Sequence, residues 1–259
     1  MTAHPRSNQS TRAPAAVVAS AVAPVVKPTL LIVGAQKGGV GKTTVARLLL
    51  HWLEENRRAH VAFDTETPLG SLIRFHEDKT ELADIGDVPA QMRIFDAVAN
   101  DKGGTTYVVD LRAGHLYAVL DLLTDLRILH DAKDGAFDIV FLHIMGGSTE
   151  SIREVSETLD RFSCAKHVIV TNPGNGADLS DWAASEVRAN FERDGGLEIN
   201  IPALNKQTYL EIDRTGPSFS QFVNNKLKNG AEANYSYVLR GYARNWLYKS
   251  MTEIDRISL

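Results

Sequence analysis

The chain has 259 residues, of which 44% are hydrophobic and 23% are charged, the composition of a globular protein with room for one large α/β domain. Its net charge of −4 gives no overall basic signal for nucleic-acid binding, and no stretch approaches the ~20 apolar residues of a membrane-spanning helix. The single cysteine, Cys164, excludes an internal disulfide framework and a cysteine-built metal site, and it favours a reducing cytoplasm.

Residues 1–28 differ in composition from the rest of the chain. They are rich in Ala, Pro, Ser and Val, and they contain basic residues but no acidic one. Such a segment cannot bury enough apolar surface to become ordered, so we predict a disordered tail followed by one domain at 29–259. The apolar run at 13–26 has some features of a signal peptide, but it is bounded by prolines and followed at once by a candidate binding loop. We therefore expect a cytoplasmic protein.

A glycine-rich loop at 34–44 reads Gly-Ala-Gln-Lys-Gly-Gly-Val-Gly-Lys-Thr-Thr. It lies between an apolar strand at 29–33 and apolar residues at helical spacing, which is the context of a phosphate-binding loop. Glycines let consecutive backbone N–H groups turn inward around phosphate oxygens, and the helix N-terminus adds partial positive charge. We predict that Lys42 reaches the β- and γ-phosphates of a nucleotide and that the Thr43 hydroxyl helps to bind Mg²⁺; a glycine-rich turn without a ligand is the alternative. The predicted nucleotide-binding residues of the loop are Gly38, Gly39, Val40, Gly41, Lys42, Thr43 and Thr44.

Beyond this loop, predicted strands and helices alternate along the chain. This alternation favours an α/β fold with a doubly wound, mostly parallel sheet and helices on both faces. The predicted strands lie at 60–63, 105–109, 137–143, 167–170 and 197–201. The predicted helices include one at 89–98, with Met92, Phe95 and Val98 on one side, and one from about 178, which buries Leu179, Ala183, Val187 and Phe191.

Two acidic residues stand where predicted strands end. Asp64 follows the strand at 60–63, and Asp110 follows the strand at 105–109. The carboxyl ends of parallel strands form the ligand crevice of such sheets, where an ATPase needs acids near its metal ion and its attacking water. Alternatively, either acid only caps the helix that follows it.

Residues 37–44, Lys-Gly-Gly-Val-Gly-Lys-Thr-Thr, resemble the deviant Walker A motif of the ParA/MinD superfamily of P-loop ATPases. The resemblance implies that ATP and Mg²⁺ are the cofactors and that the protein forms a homodimer with ATP. It also implies that Lys37 reaches across the dimer interface to phosphate bound by the other subunit, whereas Lys42 acts within its own subunit. A solvated loop charge is the alternative reading of Lys37.

The same resemblance assigns roles to the acidic residues. The segment from Asp64 to Glu66 is similar to switch I, which normally reads Asp-x-Asp-Pro, and the departure leaves the hydrolytic residue open between these two acids. We favour Glu66 for positioning the attacking water and Asp64 for the magnesium side. Residues 107–114 are similar to the Walker B segment, which implies that Asp110 binds Mg²⁺ directly or through water.

Two further residues match positions that contact the base in relatives. Asn172 follows the strand at 167–170, where relatives place an asparagine that hydrogen-bonds the adenine. Pro202 resembles the Ile-Pro step that flanks the base. An ordinary Asn-Pro-Gly turn is the competing explanation of Asn172.

The C-terminal region is predicted to be helical from about residue 218. Between 226 and 249 it is richer in basic than in acidic residues, and tyrosines are interleaved with them. This mixture is found in nucleic-acid contacts, but the helical spacing of Val238, Tyr242 and Trp246 favours the packed face of a terminal helix.

The divergent switch segments and residues 204–259 resemble the small ATPases of plasmid mobilisation and stability loci, the TraL/StbB kind. This resemblance implies a slow ATPase that acts in plasmid partition, stability or conjugative mobilisation, with plasmid DNA or a DNA-bound protein as partner. The alternative is a metabolic or delivery NTPase of the same fold, coupled to a metal, a cofactor or a small molecule. The eight histidines are scattered without metal-ligand spacing, which weighs against the metal-coupled form.

Overall fold

The computed structural model of the protein describes Met1 and residues 26–259. The predicted tail at 1–28 therefore lies almost wholly outside the described residues. The strands are β1 (Thr29–Gly34), β2 (His60–Asp64), β3 (Thr80–Leu82), β4 (Thr106–Asp110), β5 (Asp138–Ile144), β6 (Lys166–Thr171) and β7 (Leu197–Asn200). The helices are α1 (Lys42–Glu55), α2 (Val88–Asn100), α3 (Leu116–Asp125), α4 (Ile128–Lys133), α5 (Thr149–Arg161), α6 (Ser180–Ala183), α7 (Glu186–Arg193), α8 (Lys206–Thr215), α9 (Phe219–Val223) and α10 (Tyr237–Asp255).

The strands form one seven-stranded sheet in the order β3-β2-β4-β1-β5-β6-β7, and every neighbouring pair is parallel. The central strand β1 lies between β4 and β5, so the glycine-rich loop opens at the edge where β2 and β4 also end. This edge is the ligand crevice of open α/β sheets. The predicted doubly wound, parallel α/β fold is confirmed; β3, a three-residue edge strand, was not predicted.

Alternate side chains of β1 enter two different cores. Leu31 and Val33 pack on the face that carries α1 and the C-terminal helices α8, α9 and α10. Leu30 and Ile32 pack on the opposite face, against α2, α3 and α4. Because successive strand side chains point to opposite faces, a continuously apolar strand is what a sheet covered on both sides requires.

The terminal helix α10 packs against α1, α8 and α9, and this places it beside the glycine-rich loop. Its buried residues are Ala243, Trp246, Leu247, Ser250 and Ile254. The predicted packed face is therefore correct at Trp246 but wrong at Val238 and Tyr242, which are 61% and 51% exposed. The physical reason is that the face of α10 that packs on the other helices runs through Ala243, Trp246 and Leu247, and Val238 and Tyr242 lie beside this face, towards solvent.

Two other helix predictions need correction. The helix predicted from about 178 is divided into α6 and α7, because Ser185 starts a new helix by accepting the backbone N–H of Arg188. Trp182 is buried in place of the predicted Ala183, which is exposed. In α2, the predicted apolar side is wrong at Met92, which is exposed. Within the part of the chain that the structure describes, no helix combines the length and apolar character needed to cross a bilayer.

Candidate functional site

The glycine-rich loop has a backbone that only glycine adopts without strain. Gly39 has a φ of 75°, and Gly41, the residue that precedes α1, has a φ of 105°. A Cβ atom at Gly41 would also lie 2.1 Å from Nδ2 of Asn172. The loop therefore needs glycine at Gly41 both for its dihedral angle and for the close approach of a side chain. Its position at the N-terminus of the 14-residue helix α1 suits it to an anion.

Lys42 is held over this loop by its own hydrogen bond. Its side chain is buried, and Nζ donates to the backbone carbonyl of Lys37 at 2.9 Å. Burial lowers the pKa of Lys42, while the charges of Asp110, Glu154 and Glu66 act in the opposite direction. The predicted cis lysine thus lies beside the loop and near three carboxylates. In this position its ammonium group could pair with a phosphate group bound by the loop.

Thr43 and Asp110 form the centre of the site. The Thr43 hydroxyl donates to Asp110 Oδ2 at 2.7 Å, whereas Oδ1 is buried with no hydrogen-bond partner among the residues described. Burial raises the pKa of Asp110 to about 7, the Thr43 bond opposes the shift, and the charge of Asp64 adds to it. An orphaned carboxylate oxygen beside a hydroxyl suits Mg²⁺, which takes few protein oxygens and completes its shell with water and substrate phosphate. The donor set therefore fits the implied metal ion.

Asp64 anchors the segment that follows β2. Its Oδ1 accepts the backbone N–H of Glu66 at 3.1 Å, and its Oδ2 accepts the N–H groups of Leu72 and Ile73 at 2.6 and 3.1 Å. Burial raises the pKa of Asp64, and these three bonds oppose the shift. A Cβ atom at Gly70 would lie 2.3 Å from Asp64 Oδ2, so the segment folds tightly around the carboxylate. The magnesium role of Asp64 stays a prediction, and this geometry favours an anchoring role.

Glu66 is the accessible acid of the site. Its side chain is exposed, accepts a hydrogen bond from the Ser71 hydroxyl, and lines the same cavity as Lys42 and Asp110. Thr65 ties this segment to the end of β4, since its hydroxyl donates to the backbone carbonyl of Asp110 at 3.1 Å. Of the two predicted hydrolytic residues, Glu66 therefore has the freer carboxylate and Asp64 the more constrained one.

Lys37 lies at the outer rim of the loop. It is exposed, and no described residue forms an ion pair with its ammonium group. It lines a cavity of about 320 Å³ together with Gly146, Gly147 and Asp178, which adjoins the cavity that contains Asp110 at Gly38 and Gly39. The structure thus leaves Lys37 available to a group outside its own subunit, and its role in trans stays a prediction.

Two larger cavities meet along the loop. One, of about 340 Å³, contains the loop, Lys42, Glu66 and Asp110; the other, of about 400 Å³, contains Asn172 and Pro202. Both are lined by Gly39, Gly41, Thr44 and Tyr209, so they form one elongated depression. An apolar chamber joined to a phosphate-binding chamber suits a nucleotide, with the base in the former.

The second chamber is built around Pro202 and Asn172. Trp246 Nε1 donates to the Pro202 carbonyl at 2.6 Å and packs edge-to-face on Phe219, with the ring centroids 4.9 Å apart. Asn172 Nδ2 donates to the Val40 carbonyl at 3.2 Å. Asn172 thus braces the glycine-rich loop, and its predicted hydrogen bond to adenine stays a prediction.

Sequence reasoning missed several side chains of the site. Glu154 of α5 is buried, and its Oε2 accepts the backbone N–H of Gln36 at 3.1 Å. Arg47 of α1 lines the phosphate-binding chamber, and Phe219 and Trp246 line the other. The only sequence feature that could have indicated them is a charged residue, Arg47 or Glu154, on a helix that also buries apolar residues.

No protein-family model matches this chain, and no curated protein matches it significantly. Among solved structures, it is similar to the MinD cell division protein of Aquifex aeolicus, with 12% identity, a TM-score of 0.47, and 86% of this chain and 98% of that chain covered. A nucleotide-binding protein from Archaeoglobus fulgidus in complex with ADP shares 14% identity over 72% of this chain and 86% of its own, with a TM-score of 0.44.

The cell division protein FtsY of Thermotoga maritima shares 15% identity over 87% of this chain and 70% of its own, with a TM-score of 0.44. Likenesses this distant carry no argument about family or activity. The fold assignment rests instead on the strand order and on the position of the loop after β1.

Proposed function

We propose that this protein binds ATP and Mg²⁺ at the glycine-rich loop and hydrolyses ATP slowly. It forms a homodimer with ATP and acts in the cytoplasm on plasmid partition, stability or conjugative mobilisation. The observation that carries the proposal is the hydrogen bond between Thr43 and Asp110, which places a hydroxyl and an orphaned carboxylate oxygen beside the buried Lys42.

The loop, Lys42 and the metal ligands divide the binding of the phosphates. The glycine backbone accepts close approach of phosphate oxygens, and Lys42 offsets their negative charge. Thr43 and Asp110 would hold Mg²⁺, which supplies positive charge to the transferred phosphoryl group when bound. The burial of Lys42 and Asp110 strengthens these interactions because the local dielectric constant is low.

Glu66 is the residue that we assign to the attacking water. It lines the cavity with Asp110, and its segment is fixed at Asp64 by backbone hydrogen bonds. The exposure of Glu66 supports a site that a partner completes, so basal hydrolysis is expected to be slow.

Lys37 supports the assignment of an ATP-dependent dimer. Two subunits that carry ATP–Mg²⁺ face to face bring negative phosphates together, and a lysine from each side offsets that repulsion. The exposed position of Lys37 at the rim of the loop is compatible with this role.

The dimer is tested by analytical ultracentrifugation with ATP and with a non-hydrolysable analogue. Lys37→Ala is expected to bind ATP but to remain monomeric, while Glu66→Gln is expected to keep the dimer and to dissociate slowly because hydrolysis is impaired. Lys133→Ala, which changes an exposed lysine of α4, is the matched control. A Lys37→Ala protein that dimerises like wild type would remove the trans lysine from the proposal.

The cellular role is tested by co-sedimentation with plasmid DNA. We expect DNA to retain the protein with ATP but not with ADP. Retention independent of nucleotide, or no retention together with turnover that a small molecule stimulates, would favour the alternative metabolic or delivery NTPase.

A further inference from the structure

Arg47 is a buried cation between two aromatic rings. It is 3% exposed, and its guanidinium carbon lies 3.4 Å from the ring centroid of Phe75 and 4.1 Å from that of Phe219. Its Nε and Nη2 atoms are buried without a hydrogen-bond partner among the residues described. The rings hold the plane of the guanidinium group, but they leave its N–H donors unused.

The nearby carboxylate does not neutralise this charge. Asp213 is engaged with Arg74, which donates to both its backbone carbonyl and its side chain. No described acidic residue forms an ion pair with Arg47. Burial lowers the pKa of Arg47 to about 9, so the group is still charged at neutral pH. A buried charge without a counter-ion is costly, and an anionic ligand would offset that cost.

The position of Arg47 indicates which anionic group of a ligand would lie beside it. Arg47 lines the phosphate-binding chamber with Thr43 and Thr44, which are four and three residues earlier on α1. Side chains of a helix lean towards its N-terminus, so these residues share one face with the phosphate end of the helix. The ring of Phe219, stacked on Arg47, lines the apolar chamber instead. Arg47 therefore lies at the junction of the two chambers.

We propose that Arg47 binds the ribose-proximal phosphate of the nucleotide, which makes the site selective for nucleoside 5′-phosphates over nucleosides. This inference rests on the proposed nucleotide binding. A ligand that spans both chambers passes their junction with the phosphate group nearest the ribose, and the free N–H donors of Arg47 suit its oxygens.

The contact also links the nucleotide to two other segments of the chain. Phe75 follows the segment that Asp64 fixes through Leu72 and Ile73, and Phe219 begins α9, which packs on α10. Arg47 thereby joins the phosphate chamber to the segment of Glu66 and to the C-terminal helices.

The test compares Arg47→Met with Arg214→Met. Methionine keeps an unbranched apolar stem between the rings but removes the charge. Arg214, in the last turn of α8, is the matched control because it is paired with Glu211 and lines neither chamber. Competition against a fluorescent ADP analogue measures the affinities of ATP, ADP, AMP and adenosine.

Arg47→Met is expected to lower the affinities for ATP, ADP and AMP by the same factor. We expect a loss of about tenfold or more, the scale of a lost hydrogen bond to a charged group. The affinity of adenosine is expected to be unchanged, as are all affinities of Arg214→Met. Equal binding by Arg47→Met and wild type, an equal loss in both variants, or a loss confined to ATP would overturn the inference. A wild-type protein that binds no nucleotide would overturn the proposed function as well, so the two failures are distinguishable.

A measurement on the wild-type protein covers the case in which Arg47→Met does not fold. The Nε–H NMR signal of Arg47, identified by its contacts with the Phe75 and Phe219 ring protons, is expected to shift with AMP but not with adenosine. No shift with AMP would overturn the inference.

Discussion

The Thr43 hydroxyl lies 2.7 Å from Asp110 Oδ2, and this hydrogen bond joins the first turn of α1 to the end of β4. The two residues are 67 positions apart, so the contact exists only because the sheet places β4 beside β1. The remaining oxygen of Asp110 has no partner in the part of the chain that the structure describes. We therefore expect the pair to act together in binding Mg²⁺.

Asp110→Asn tests this pair. Asparagine keeps the size of the side chain and an acceptor for Thr43, but it removes the charge that a divalent cation needs. We expect the gain in ATP affinity on adding Mg²⁺ to fall by about tenfold or more. Stability is expected to hold or rise, because a buried carboxylate near Asp64 is removed. Titrations with Mg²⁺ and with EDTA measure the effect.

The matched control for this change is Asp138→Asn, at the exposed start of β5. It should leave the Mg²⁺ dependence as in wild type. Unchanged Mg²⁺ dependence in Asp110→Asn would remove the residue from the metal site.

Gly41→Ala tests the tight packing of the loop. The change combines a φ of 105° with a clash of 2.1 Å against Asn172, so we expect lost nucleotide binding and a lower free energy of unfolding. Gly176→Ala is the control, since its φ is 72° but no atom lies within 4 Å of its Cβ position. The control should cost only the backbone strain, about 1–2 kcal/mol. Equal costs in urea unfolding would show that the Asn172 contact is unimportant.

Trp246→Phe tests the apolar chamber. The change removes the N–H donor to the Pro202 carbonyl and leaves that acceptor unpaired, at a cost of about 1–3 kcal/mol. Trp52→Phe removes a similar bond, to Asp255, on a side chain that does not line either chamber. We expect both variants to lose stability in urea unfolding but only Trp246→Phe to lose nucleotide affinity. A similar loss of affinity in both would indicate a general effect of destabilisation.

His143 makes the stability of the protein sensitive to acid. Burial lowers its pKa from 6.5 to about 3, and the neighbouring His167 adds to the shift. Below pH 6.5 the unfolded chain therefore binds a proton that the folded chain rejects. The free energy of unfolding should fall with pH over the window from 6.5 to about 3, by at most about 1.4 kcal/mol per pH unit for this group. Above that window His143 contributes no pH dependence.

Urea unfolding at several pH values above and below 6.5 measures how steeply the free energy of unfolding depends on pH. His143→Phe keeps a ring in the stack with Phe141 and should flatten the slope. Met92→Ala, at an exposed position of α2, involves no titratable group and should not change it. Identical slopes in all three proteins would assign the acid sensitivity to other groups.

The sequence was sufficient to predict the sheet and the loop because their signals are local. Continuous apolar runs such as the one in β1 mark buried parallel strands, and the glycines of the loop fix its backbone. The short edge strand β3 has no such run, and its three residues pair with β2 only through tertiary structure.

The side chains that complete the site could not be predicted in the same way. Arg47 and Glu154 sit on helices and reach the loop only because of how α1 and α5 pack on the sheet. The buried face of α10 is set by its packing on α1, α8 and α9, so helical spacing alone placed Val238 and Tyr242 on the wrong side. For Asp64, the sequence indicated a position beside the site but not the three backbone N–H groups that it accepts.

The central claim is that ATP binds through the glycine-rich loop, and isothermal titration of wild type and Lys42→Ala with ATP and Mg²⁺ tests it most directly. Lys42 lies buried beside the loop, so removing its charge should lower the affinity for ATP by about tenfold or more. The circular dichroism spectrum of Lys42→Ala should show an intact fold. Lys133→Ala should bind ATP as wild type does. Wild-type affinity in Lys42→Ala, or no binding of ATP to the wild-type protein, would contradict the account.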